Sequence, residues 1–145
     1  MTRKKPTIKH EPDSTKKPRS DPSLEKPFNL QPAWQISWID LAGEWGWTNI
    51  DKQYFFNTIV PRIKNLETMC WKDILSRDNH EIPVAKIDRK AQKRLEELEL
   101  DDYDLLVSLR FGSRERMWGI RVQNTLKILW WDPRHEVYPV GKKHT

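Results

Sequence analysis

Cysteine is almost absent from this chain: Cys70 is the one thiol in 145 residues. An internal disulfide and any paired-cysteine metal site are thereby excluded, and a lone thiol suits a reducing compartment. Long apolar runs are missing too. No stretch approaches the roughly 18 to 20 apolar residues that span a bilayer. The basic start, Arg3-Lys4-Lys5, is not followed by the apolar region that a secretory signal requires. These absences point to a cytoplasmic protein with no membrane partner. Glycine is scarce, at five residues, and there is neither a G-x-G-x-x-G fingerprint nor a P-loop. His80-Glu81 and His135-Glu136 are adjacent pairs, but neighbours point apart on a strand and the H-E-x-x-H spacing is lacking. No metal and no cofactor are therefore expected.

What the chain does have is tryptophan and charge. Eight tryptophans accompany a formal charge of +5 and a charged fraction of 32%. Aromatics are rare in disordered chains, so this mixture describes a folded unit joined to a polar tail. Residues 1–27 read as that tail, disordered and basic. Five prolines, Pro6, Pro12, Pro18, Pro22 and Pro27, interrupt any helix there. Eight basic and four acidic residues give the tail +4 of the net charge. It is either a solvated leader or a salt-sensitive arm for phosphates.

Residues 28–145 read as a single α+β domain. From 28 to 75 a Trp-rich helical lobe is expected, with Trp34, Trp38, Trp45 and Trp47 packed together. Thr48 or Asn49 can cap a helix that carries Phe55, Phe56, Ile59, Ile63 and Leu66 at helical spacing. Pro61 either kinks it or starts another. A short helix follows over "TMCWKDIL", with Thr68 as a cap and Cys70 as core filling. A brief extended segment fits around Ile82 and Val84. Residues 86–100 form the clearest helix, with Ile87, Ala91, Leu95 and Leu98 in one stripe and a charge-rich face toward water.

From Tyr103 the period changes to that of strands, and 103–138 read as a β-meander of three or more antiparallel strands: "LLVSLRFG", "RMWGIRV" and "TLKILWW". The order predicts N-terminal helices packed on one face of a C-terminal sheet. A two-residue loop at Gln123-Asn124 would pair Val122 with Thr125, Ile120 with Lys127, Trp118 with Leu129 and Arg116 with Trp131, whereas a three-residue loop would swap the faces of the third strand. At least one of Trp130 and Trp131 then leaves the helix-covered core. A sheet bearing Arg110, Arg116 and Arg121 beside an exposed ring can hold single-stranded RNA, the guanidinium groups on phosphates and the ring on a base. Alternatively the two tryptophans cap the core and the arginines face water.

The run from Leu109 to Tyr138 resembles the C-terminal half of the RelE/ParE superfamily of bacterial toxins. "RMWGIRV" matches its arginine strand, "TLKILWW" its apolar strand and "RHEVY" its closing histidine–tyrosine motif. The ending is also similar to that of a set of bacterial proteins closing on W-W-D-P-x-H-x-V-Y-P. The toxin resemblance implies metal-independent cleavage of ribosome-bound messenger RNA by its own 2′-hydroxyl, and neutralisation by a small antitoxin that covers the sheet. It implies His135 as general acid or base, Arg116 or Arg121 on the scissile phosphate and Glu115 as proton acceptor. Arg110, Trp131 and Tyr138 would contact the RNA. Two other readings use the same face: a non-catalytic RNA- or protein-binding module, and a ParE-like inhibitor of another enzyme.

Overall fold

The computed structural model describes residues 27–139. The tail expected over 1–27 lies outside the described residues except for Pro27, and so does the segment 140–145.

Five strands form one mixed sheet in an α+β fold: β1 (Ala33–Gln35), β2 (His80–Pro83), β3 (Leu105–Arg110), β4 (Arg116–Val122) and β5 (Thr125–Asp132), in the spatial order β1-β5-β4-β3-β2. The meander β3-β4-β5 is antiparallel as its alternating pattern predicts. Two strands extend it. The extended segment near Ile82 is β2, antiparallel to β3, and β1 lies parallel to β5. The helices sit mid-chain between strands.

Residues 28–51 are less helical than their tryptophan content suggests. Apart from β1 they form loops and single 3-10 turns, and the first helix opens at Lys52. Asp51 caps it by accepting from the Tyr54 amide at 3.0 Å, in place of Thr48 or Asn49. The helix runs as α1 (Lys52–Tyr54), a π-turn (Phe55–Ile59) and α2 (Val60–Leu66). Pro61, which brings no amide hydrogen, follows directly on the π-turn, whose wider loop ends with the Val60 amide on the Phe55 carbonyl. Pro61 therefore stands in the first turn of α2, the α-helical segment that follows the π-turn. Next come α3 (Trp71–Ile74) and, after β2, α4 (Arg89–Glu97). Thr68 does not cap α3; its hydroxyl donates to the Asn65 carbonyl. Asp88 caps α4 through the Lys90 amide.

Helices cover both faces of the sheet, not one. On face one, Ile87, Ala91 and Leu95 pack with Ile82, Leu106, Trp118, Ile120 and Trp130. On face two, Ile59, Leu66, Trp71 and Ile74 pack with Val107, Leu109, Met117, Leu126 and Trp131. This corrects the expectation that one of Trp130 and Trp131 is exposed: they are 0% and 5% exposed. The ring nitrogens of the fully buried tryptophans on face one find partners. Trp130 Nε1 donates to Asp40 at 2.9 Å and Trp118 Nε1 to Asp132 at 3.2 Å.

The register of a two-residue loop is found near the hairpin, Val122 with Thr125 and Ile120 with Lys127, and then slips by one. A bulge leaves Leu129 unpaired, so Trp118 meets Trp130, and Arg116 meets Asp132 rather than Trp131. The Leu129 carbonyl turns outward and accepts from the Asp40 amide at 3.0 Å. That slip puts Arg116 and Asp132 side by side on face one.

Candidate functional site

Sheet register sets the site. Across face one, His80, Ser108, Trp118 and Trp130 stand in one row, and Arg110, Arg116 and Asp132 in the next. A turn then folds the chain back over the second row. Its staple is Asp132, fully buried, which accepts from the amides of Glu136 at 2.8 Å and Val137 at 2.9 Å. Val137 enters the face-one core, and its carbonyl accepts from the Asp88 amide at the start of α4. The turn is thus fixed at both ends. Between them His135 takes a left-handed backbone, φ 59°, which a β-carbon disfavours.

The outcome is a cleft of about 570 Å³ with Arg110, Arg116, Ser108 and His80 on its sheet side and His135 and Tyr138 on the returning turn. Arg116 is only 8% exposed. Its guanidinium donates to the carbonyls of Gly112 at 3.0 Å, Glu115 at 3.0 Å and Ser113 at 3.4 Å. Among the described residues it has no carboxylate in ion-pair range. A buried cation normally has an anion beside it. Burial, with Arg110 close by, pulls the Arg116 pKa down, against weaker support from Asp132, Glu115 and Asp78. Arg110 is more open; its Nε donates to the Gly112 carbonyl, and it meets Asp78 at a loose 3.7 Å.

His135 feels the same field. Burial first, then the charges of Arg116 and Arg110, lowers its pKa to about 4. Its ring is neutral at physiological pH and able to accept a proton. Asp132 responds oppositely: burial raises its pKa, opposed by hydrogen bonds from the Glu136 and Val137 amides and from Trp118.

The structure thus brings together His135, Arg110, Arg116 and Tyr138 and sets three other expected residues apart. Arg121 points to face two, where it binds Glu81 at 3.0 Å and lies over the rings of Phe28 and Trp71. Glu115 also turns from the cleft, alternating with Arg116 along the chain; its carboxylate packs over Gly112. Trp131 is enclosed by Trp47, Tyr54 and Phe111 at ring distances of 5.8, 6.0 and 5.4 Å, so no ring face is left for a base. The bulge and the second helical layer account for these differences. The sequence reading also missed His80 and Ser108 as members of the site. Only the pairing of β2 with β3 places them there, and the alternation around Ile82 was the available signal.

Among the described residues no helix is long and apolar enough to cross a membrane, and no group of three or more His, Cys, Asp or Glu side chains is placed to hold a metal ion. Fold and site define an α+β protein with a cationic, histidine-bearing cleft. Compared with family models, curated proteins and solved structures, the chain matches none.

Proposed function

We propose that the cleft binds a phosphodiester of RNA and cleaves it without a metal, as a RelE-like toxin acting on translated messages. One observation carries the reading: a buried guanidinium, Arg116, without a carboxylate partner among the described residues, lines the same cleft as a neutral imidazole, His135. The phosphate would supply the missing anion, held by Arg116 and Arg110 through charge-assisted hydrogen bonds. His135 would take the proton of the 2′-hydroxyl as its oxygen attacks phosphorus. Arg116 would stabilise the negative charge that develops on the phosphate oxygens. Tyr138, beside the cleft, would position the neighbouring nucleotide. Because both sheet faces are covered, a neutralising antitoxin would close the mouth of the cleft rather than lie on the sheet.

The test is induction in bacterial cells of the wild type and of a His135→Asn, Arg116→Ala variant. The wild type is expected to arrest growth and to leave messages ending in 2′,3′-cyclic phosphates, and the variant to do neither. Normal growth with intact messages on wild-type induction would reject the reading. Equal arrest by both proteins with messages intact would fit a ParE-like inhibitor instead.

A further inference from the structure

Cleavage by an internal 2′-hydroxyl moves two protons, and His135 accounts for one. From the placement of a second imidazole in the same cleft, we infer that His80 is the proton donor to the departing 5′-oxygen. This rests on the RNA-cleaving reading above.

His80 opens β2 and pairs with Ser108 of β3, so it shares face one with Arg110 and Arg116. Ile82, two residues on, enters the face-one core, which fixes the side of the sheet that His80 occupies. Strands lie about 4.8 Å apart, and two of those steps separate β2 from β4, so His80 borders the cleft from the β2 side while His135 enters it on the turn that follows β5. An in-line displacement needs a base and an acid on opposite sides of the scissile phosphate. Among the described residues neither imidazole is engaged in a hydrogen bond or ion pair. The other cleft groups fit the donor role less well. Arg110 and Arg116 do not release protons, serine hydroxyls are too weakly acidic, Asp78 meets Arg110, and Glu81 is taken up by Arg121. Tyr138 is half-buried against the face-one core. Histidine is the side chain whose charge changes near neutral pH.

The step balances. The 2′-oxygen loses its proton to His135 and bonds to phosphorus. The bond from phosphorus to the 5′-oxygen breaks, and that oxygen takes a proton from His80. The products are a 2′,3′-cyclic phosphate and a 5′-hydroxyl. His80 works among Asp78 and Glu81 on its own segment, Arg110 of β3, Arg116 of β4, and His135 and Tyr138 of the returning turn.

Two RNA oligonucleotides, presented to the purified full chain on programmed ribosomes, test this: one natural, one with sulfur replacing the bridging 5′-oxygen. A thiolate leaves without a proton. His80→Asn is expected to slow the natural substrate about 10²- to 10⁴-fold and to cut the sulfur substrate at close to the wild-type rate. His135→Asn should slow both substrates. If His80→Asn cuts the natural RNA at the wild-type rate, or loses both substrates equally, the assignment of His80 is overturned while the cleavage reading stands. A wild type that cuts neither substrate overturns both.

Discussion

Replacing His135 by asparagine should make this protein more resistant to mild acid. Asparagine tolerates the left-handed backbone at this position, φ 59°, so the turn survives the change. The folded state holds the His135 pKa at about 4 against an ordinary 6.5, because the ring is partly buried and lies near the charges of Arg116 and Arg110. Between those two pH values the unfolded chain binds a proton that the folded chain does not. Folding stability therefore falls as pH drops through that window. At 1.36 kcal/mol per pH unit, the displacement amounts to about 3 kcal/mol by pH 4. Asp132, whose pKa burial raises, acts in the opposite sense but is common to both proteins. Asp40 stays ionised until about pH 2, below the window. Urea unfolding followed by tryptophan fluorescence, near pH 7 and near pH 4, reads the difference directly. The wild type should lose about 3 kcal/mol more than His135→Asn between the two conditions. Equal losses would refute the claim that the fold suppresses protonation of His135.

The loop that borders β5 should depend on Asp40. Burial raises the pKa of its carboxyl, but hydrogen bonds from Arg94, the Gly43 amide and Trp130 outweigh this and hold it at about 2. Asp40→Ala leaves the Trp130 ring nitrogen without its partner and Arg94 with Glu97 alone, and should cost about 1 to 3 kcal/mol by chemical denaturation; a loss under about 1 kcal/mol would contradict it. Gly119 sits at the bulge, where an added β-carbon would come within 2.7 Å of the Lys127 carbonyl and 2.8 Å of Leu126 Cγ. Gly119→Ala should therefore cost about 1 to 3 kcal/mol and shift amide resonances across β4 and β5; an unchanged spectrum would show that the strands are not pressed together there.

The meander was legible because alternation in β3 to β5 records which side chains face inward, and α4 because Ile87, Ala91 and Leu95 repeat at helical spacing. The sheet's two edges were less so. β1 has three residues and gains its place by pairing with β5, 92 residues on, which no local pattern encodes. Of the site, the pairing of His135 with Arg110 and Arg116 followed from the strand order. Arg121 and Trp131 lie apart from the cleft, on face two, where a second helical layer packs. The Leu129 bulge also escaped notice. It arises from the Asp40 amide and the Trp45 carbonyl bonding to the bulged stretch of β5, a contact between distant segments. His80 was visible only as a neighbour of Glu81, because strand pairing, not sequence spacing, carries it to the cleft.

The proton equilibrium of the His135 ring, followed by nuclear magnetic resonance with and without a 2′-deoxy dinucleotide, tests the central claim most directly. In the free protein the midpoint should lie at about 4. One negative charge seated between Arg116 and Arg110, about 6 Å from the ring at an effective dielectric of about 20, contributes about 3 kcal/mol and should raise the midpoint to about 6. A midpoint that stays at its free value while the dinucleotide is bound elsewhere, or not at all, would contradict the assignment of the cleft as a phosphodiester site.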